Sequence, residues 1–294
     1  MTRIDICICT FKRSHLARTL ASLEAMSRPD NVELRIIVAD NDETQSARAL
    51  VKSAQSSIPI DYHHAPARNI SIARNACLAD ASGDWIAFID DDEIAAQDWL
   101  VALLARARST GADAVFGPAI AVYAPDAPDW MVSGDYHSNI PQVRDGEVLT
   151  GHTCNALVKW AGMPWQAERF DVKLGKTGGE DTAFFFNLHR LGATFEIAMD
   201  AHVHEDVPHA RQSYKWLWSR KFRSGQSYVA STTTFKERAI LGLKASVKAT
   251  ASALAAGVHL RNAEKRNFWS LRSALHLGVV AGCLSLRARA HYGQ

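Results

Sequence analysis

The sequence predicts an α/β fold, a mostly parallel sheet with helices on both faces. Three observations predict it. Strand-like and helix-like segments alternate four times in the first 110 residues. Thr10, Asp40 and Asp90 stand at the ends of three strand-like runs, the edge where such sheets bind ligands. The apolar run from Trp85 to Ile89 also opens directly onto four acids, Asp90, Asp91, Asp92 and Glu93.

The elements follow in order. Residues 3–10 (RIDICICT) alternate and are β-prone, so they predict a strand. The next segment, SHLARTLASLEAM, predicts a helix with Ser14 as N-cap and Leu16, Leu20 and Leu23 on one face. VELRIIVADN is a second strand ending at Asp40, and TQSARALVKSAQSS a second helix. IDYHHA is a short third strand, and SIARNACLADAS a third helix closed by Gly83 as a C-cap. DWIAFID is the fourth strand, AQDWLVALLARARST the fourth helix and ADAVFGPAIAVY one further strand.

From about Tyr123 the alternation stops, and a Pro-, Gly- and Asp-rich stretch reads as loop. GHTCNALVKW predicts a strand returning to the sheet, GEDTAFFFNLHRLG a helix opening on two acids, and TFEIAMDAHVHE another strand. Beyond Pro208 the chain reads as helical. The expected division is therefore an α/β catalytic domain, 1–208, and a helical basic region, 209–294.

Charge separates the same two parts. From Arg211 onward there are fifteen Lys and Arg and two acids, Glu237 and Glu264; before it, 18 basic residues face 29 acidic ones. A basic tail is a partner for anions such as lipid headgroups or phosphates, or else a solvated helical surface. It lacks a zinc or RNP signature, so nucleic acid is not expected. Five cysteines (Cys7, Cys9, Cys77, Cys154, Cys283) without C-x-x-C spacing point to a reducing cytoplasm. Arg3 and Asp5 interrupt the first apolar residues, so no signal peptide is expected. No segment is expected to span a bilayer, since two lysines interrupt AILGLKASVKATASALAAGV. Leu271, Leu275, Val279, Cys283 and Leu286 fall at helical spacing, as a packing face (against the main domain or a second subunit) or a membrane-surface helix.

Carboxylates gathered at a strand end suit a hard cation, Mg2+ or Mn2+, shared with substrate phosphates. Such a cation relieves their repulsion and neutralises a departing diphosphate. The competing reading is an acidic helix cap, to which Glu93 or Asp98 could be confined.

The order and spacing of CTFKR, VADN, SIARN, FIDDDE and GEDTAFF resemble the inverting family 2 glycosyltransferases of GT-A (Rossmann-like) fold, over residues 4 to 205. ICTFKR, IVADND, NISIARN and HEDVPHARQSYKWLWSRKFRSGQSY resemble, more narrowly, glucosyltransferases of succinoglycan-type exopolysaccharide assembly. The resemblance implies that Thr10, Phe11 and Arg13 border the base of a UDP-sugar, that Asp40 accepts from uracil, and that Arg74 faces the same pocket. Asp90 and Asp92 become an Asp-x-Asp element, with Asp90 near ribose or sugar hydroxyls, Asp92 on the metal, and Asp91 turned away. Asp181 becomes the general base, with Glu180 as runner-up; an acidic helix cap is the alternative for both.

His202 and His204 share one strand face, either as ordinary strand histidines or, in the case of His204, as a third metal ligand. Glu205 and Asp206 are candidates to orient arginines. Arg220 and Arg223 are placed to reach the leaving diphosphate or a lipid diphosphate, and Trp216 and Trp218 to stack on a sugar, lie in the headgroup layer or enter the core.

The expected function is transfer of a hexose, from UDP-glucose, to a polyprenyl-diphosphate-linked oligosaccharide at the cytoplasmic membrane face, with homo-oligomerisation left open. The alternatives are a sugar nucleotidyltransferase, which CTFKRSH disfavours for want of a glycine, and a phospho-acceptor signalling domain with a membrane-binding tail, which would leave residues 150–205 without a role.

Overall fold

The computed structural model describes residues 1–285. Leu286 and two arginines of the basic tail, Arg287 and Arg289, lie outside the described residues. The chain runs β1 (Thr2–Thr10), α1 (Leu16–Ala25), β2 (Val32–Asp40), α2 (Arg48–Ser53), β3 (Ile60–His64), α3 (Ile70–Asp80), β4 (Trp85–Ile89), β5 (Glu93–Ala95) and α4 (Trp99–Thr110). It continues through β6 (Ala114–Phe116), β7 (Ala119–Val122), α5 (Asp129–Ser133), β8 (Asn155–Lys159), α6 (Glu180–Arg190), β9 (Phe195–Ile197) and β10 (Val203–Asp206). Three helices close it: α7 (Tyr214–Ser227), α8 (Phe235–Val258) and α9 (Ala263–Cys283).

Seven strands form the main sheet in the order β3-β2-β1-β4-β8-β6-β9. β1, β2, β3 and β4 are parallel, β8 is antiparallel to both its neighbours, and β9 pairs parallel with β6. A small second sheet, β5-β10-β7, lies beyond the end of β4.

Strand alternation sorts side chains to the two faces of the main sheet. Ile4, Ile6, Ile8, Ile36 and Val38 pack with α1 and α4 on one face. Cys7, Ile37 and Ala39 pack with α3 and with Phe184 and Phe185 of α6 on the other. Each fully buried side chain of this kind contributes roughly 1.5–3 kcal/mol.

Two single-strand expectations are corrected, and one strand is added. Residues 112–123 make two strands, β6 and β7, because Pro118 lacks an amide donor and the chain crosses there to the second sheet. Residues 194–205 divide likewise into β9 and β10, and β5 is an additional strand. Asn155 holds the crossovers together. Its side-chain amide donates to Pro118 O at 3.0 Å and Ala201 O at 2.7 Å, while its carbonyl accepts from Trp99 Nε1 at 2.8 Å.

The caps also differ. α1 begins after His15, with no side-chain cap from Ser14. α3 is capped by Asn69, which accepts from the amides of Ser71 and Ile72, and ends at Ala81. Gly83 instead lets strands approach, since a Cβ there would lie 2.9 Å from Trp85 O and 3.0 Å from Arg3 O. Asp98 occupies the N-cap position of α4 without a side-chain bond, and Glu93 lies in β5, so neither carboxylate caps that helix.

α7, α8 and α9 pack as a unit through small residues. A Cβ at Gly225 would meet Leu275 O at 2.0 Å, and one at Gly278 would meet Phe222 O at 1.9 Å. Ser273 Oγ donates to Ala249 O at 3.0 Å, joining α9 to α8. Contrary to the expectation from sequence, α8 has, by length and composition alone, what a membrane crossing needs: it has 24 residues, and its most apolar 18-residue stretch has mean hydropathy 1.2. Leu254 and Val258 on it are exposed.

Candidate active site

One cleft of about 1140 Å3 opens at the carboxyl ends of β1 and β4. Its walls come from the segment before β8, the start of α6, and α7 to α9. Of the residues singled out in the sequence, Thr10, Phe11, Arg13, Arg74, Asp90, Asp92, Glu180, Asp181, Trp216, Arg220 and Arg223 line it. Asp40 and His204 do not.

Thr10 ends β1 and donates to Asp91 Oδ2 at 2.7 Å. Asp91 is buried, and its main-chain carbonyl also accepts from Thr19 of α1 at 3.0 Å. Arg13 pairs with Asp92 and lies 3.7 Å from Asp91. The three consecutive aspartates thus divide. Asp91 turns under the end of β1, Asp92 meets Arg13, and Asp90 is left half-exposed in the cleft. Glu93 is buried and accepts from the Asp90 amide at 2.8 Å, which fixes the turn.

Enclosure in the cleft pushes the Asp90 carboxyl up to about 7, reinforced by Asp92, Asp91 and Glu205 against the pull of Arg74. Burial likewise raises Asp91 to about 6 and Glu93 well above the usual carboxylate range. The cluster is short of positive charge. Its donors are all oxygens, which suits a hard divalent cation. Among the described residues no three His, Cys, Asp or Glu side chains form a ready metal cage. Mg2+-type sites with one or two carboxylates complete their shell from substrate phosphates and water, so Asp90 and Asp92 fit such an ion.

Arg74 joins the two acidic groups. Its guanidinium pairs with Glu180 at the start of α6 and lies 3.8 Å from Asp90 Oδ1. Burial opposes its charge, but Glu180, Asp90 and Asp181 outweigh that and hold it firmly protonated. Burial raises Glu180, and its Oε2 lacks a hydrogen-bond partner. Asp181 is more open to the cleft, and its Oδ2 meets His152 Nδ1 at 2.9 Å. Burial alone would raise Asp181, but His152 and Arg74 hold it well below the usual carboxylate range. His152 is raised in turn, since Asp181 overcomes its own desolvation.

Asp40 is fully buried at the end of β2, where it accepts from the amides of Asp42 at 3.1 Å and Ala47 at 2.8 Å and from Tyr62 Oη at 2.8 Å. This is the side-chain-to-backbone bonding that Asp favours in turns. The residue of that strand end that lines the cleft is Asn41. In β10, alternation sends Glu205 into the cleft and His204 to the other side, where its ring stacks on His202 at 6.3 Å. Glu205 accepts from Arg211 at 2.5 Å, and Asp206 from Arg18 at 2.6 Å. Both acids therefore orient arginines.

Trp216 stacks on His137 at 5.3 Å, with Arg220 over it at 5.3 Å and Arg211 at 5.7 Å. Trp218 stacks on Phe222 at 5.5 Å and is not among the cleft residues. His152, Arg211 and Asn41 are among the cleft residues to which sequence reasoning gave no site role.

Fold and cleft together define the class: a glycosyltransferase of GT-A fold. The glycosyl transferase family 2 model matches residues 5–161. The chain is 47% identical to the succinoglycan biosynthesis protein ExoM of Rhizobium meliloti (strain 1021), over 99% of this chain and 96% of that one. The chain belongs to glycosyltransferase family 2. This sets aside the nucleotidyltransferase and signalling-domain alternatives. The fold is shared with the mannosyltransferase PcManGT of Pyrobaculum calidifontis, solved with GDP-Man and Mn2+, at TM-score 0.65 and 17% identity over 97% of this chain and 88% of that one. It is shared also with residues 1–349 of S. aureus TarS in complex with UDP-GlcNAc, at TM-score 0.57 and 14% identity, covering 94% and 92%.

Proposed function

We propose that this glycosyltransferase moves glucose from UDP-glucose, with inversion, to a sugar hydroxyl on a polyprenyl-diphosphate-linked oligosaccharide during succinoglycan-type exopolysaccharide assembly. The observation that carries the reading is Arg74, which spans from Asp90 on the donor side to Glu180 beside Asp181. The ExoM likeness supports the choice of polymer.

Thr10, Phe11, Arg13 and Asn41 form the end of the cleft that takes uridine. Asp40 acts through the loop it holds rather than on the base. Asp90 and Asp92 hold Mg2+ or Mn2+, which when bound neutralises the departing UDP diphosphate; Glu205 is the acid that β10 adds beside them. Arg220 and Arg223 stand across the cleft for diphosphate charge, and Trp216, stacked on His137, holds Arg220 and Arg211 over its ring.

Asp181 takes the proton of the acceptor hydroxyl as its oxygen bonds to the anomeric carbon and the bond to the diphosphate oxygen breaks. His152 fixes one oxygen of Asp181, and Glu180 fixes Arg74. Residues 1–208 form the catalytic part. Within residues 209–294, α7, α8 and α9 complete the cleft and lay the exposed apolar side of α8 on the anionic cytoplasmic face of the membrane.

Calorimetric titration with UDP, with and without Mn2+, on wild type and Asp92→Ala tests the donor side. Metal-dependent UDP binding that Asp92→Ala removes supports it, whereas no UDP binding in either condition overturns the uridine donor. Asp181→Asn should abolish transfer while leaving UDP binding largely intact. Surviving transfer would place the base elsewhere.

A further inference from the structure

Asp92, the carboxylate assigned above to the divalent cation, carries an internal cation. Arg13 Nη1 pairs with Asp92 Oδ2, and Arg13 Nε lies 3.7 Å from Asp91 Oδ1. β1 and β4 are adjacent and parallel, so the turn that carries Arg13 lies beside the turn that carries the aspartates. Asp91 is fixed there independently, since it accepts from Thr10 Oγ1 at 2.7 Å. The preceding residue, Lys12, takes a different acid, with Nζ 3.5 Å from Asp42 Oδ1.

The two arginines of the acidic cluster differ in freedom. The Arg74 side chain is 6% exposed and pairs with the equally buried Glu180. The Arg13 side chain is 34% exposed, and an ion pair this open to water is held weakly and exchanges partners. Arg13 also stands at the end of the cleft given above to the nucleotide. Phe11 is two residues away, and Asn41, which lines the cleft with them, donates its amide to Thr10 O at 2.8 Å.

A divalent cation drawn to Asp92 has to displace Arg13 or sit against its charge, and either opposes binding. A nucleoside diphosphate removes both obstacles. Its oxygens accept from a guanidinium in the bidentate manner of a carboxylate, so Arg13 gains a new partner as it gives up the old one.

We propose that Arg13 couples the two donor-side ligands: it holds Asp92 against a cation that arrives alone and moves onto the diphosphate when the nucleotide enters. The inference rests on the uridine donor and divalent cation proposed above, and adds the residue that makes one depend on the other. Coupling is reciprocal, so the cation strengthens UDP binding by the factor by which UDP strengthens cation binding. Part of that factor comes from the cation bridging the phosphates. The part that belongs to Arg13 is the part lost when Arg13 is removed.

The test uses the full chain as wild type, Arg13→Gln and Lys12→Gln. Binding of Mn2+ alone is followed by loss of the free-ion EPR signal, and binding of UDP by calorimetry with and without saturating Mn2+. Arg13→Gln should bind Mn2+ alone roughly tenfold or more tightly than wild type. The factor by which Mn2+ strengthens its UDP binding should fall by a similar amount. Lys12→Gln should stay within about twofold of wild type in both measurements, since an exposed charge is largely screened. Adding Asp92→Asn to Arg13→Gln should remove the gain. Unchanged affinity of Arg13→Gln for Mn2+ alone overturns the proposal. So does a gain that leaves the Mn2+ dependence of UDP binding at its wild-type size, because Arg13 would then stay on Asp92 beside the nucleotide. A gain that Lys12→Gln reproduces would be an effect of net charge, and one that survives Asp92→Asn would place the ion elsewhere; both overturn it. Wild type that binds no UDP with or without Mn2+ would sink the donor reading itself, whereas Mn2+-dependent UDP binding with no gain in Arg13→Gln would sink this inference alone.

Discussion

His152 Nδ1 and Asp181 Oδ2 are 2.9 Å apart at the mouth of α6, in a cleft that would otherwise press Asp181 toward its neutral form. The pair moves both groups toward charge, Asp181 downward and His152 upward. The signs follow. The contribution of Asp181 is present above its ordinary value of 3.8 and is lost only as pH falls through its lower folded value. That of His152 is present below its ordinary 6.5 and is lost as pH rises through its higher folded value. Removing the imidazole leaves burial to dominate. His152→Ala should therefore move the acid limb of kcat/KM upward by about one pH unit or more. Superimposable pH profiles for wild type and variant would mean that Asp181 does not depend on His152.

Arg74 supports a second expectation. It is 5% exposed and stands between Glu180 and Asp90. Arg74→Met leaves two carboxyls without their cation, so Asp90 is driven further toward protonation near neutral pH. Metal-dependent UDP binding at pH 7 should weaken about tenfold or more, with partial recovery at pH 8.5 as Asp90 ionises. A pH-independent loss would indicate that Arg74 contacts the nucleotide itself.

Thr10, Asp90, Asp92, Glu180 and Asp181 were legible because each follows or opens a regular element whose apolar period fixes its end. His152 was not, because residues 124–153 carry no period. Its place follows only from pairing. β8 runs antiparallel to β4, so the residues before β8 lie beside the end of β4, among the acids. Asp40 and His204 show a second limit, namely side-chain direction. The turn after β2 draws the Asp40 carboxylate onto backbone amides, and a one-residue choice in β10 decides between His204 and Glu205. The break of residues 112–123 was written in Gly117-Pro118, a punctuation that the apolar run concealed.

Asn155 carries the stability of the crossovers. It is 1% exposed and satisfies Trp99 Nε1, Pro118 O and Ala201 O. Asn155→Ala strands the buried Trp99 Nε1 donor and the Ala201 O acceptor, while Pro118 O keeps the amide of Val203, at roughly 1–3 kcal/mol for each unsatisfied group. Denaturant unfolding should show a loss of about 3–5 kcal/mol with the m-value unchanged. A loss below about 1 kcal/mol would mean that water replaces the amide.

The outer side of α8 can be tested apart from its lysines. Leu243, Val247 and Leu254 are largely exposed, so L243S/V247S/L254S removes little buried apolar contact and should leave Tm nearly unchanged. If α8 lies on an anionic bilayer, apolar insertion and basic residues act together. The triple variant should then bind phosphatidylglycerol vesicles at least tenfold more weakly, while neutral vesicles bind wild type poorly at any salt. Raising the salt should weaken wild-type binding further, because the electrostatic part is screened. Vesicle binding that ignores both the substitutions and the salt would assign the stripe to another partner; a wild-type dimer that the substitutions dissociate would identify that partner as a second copy of the chain.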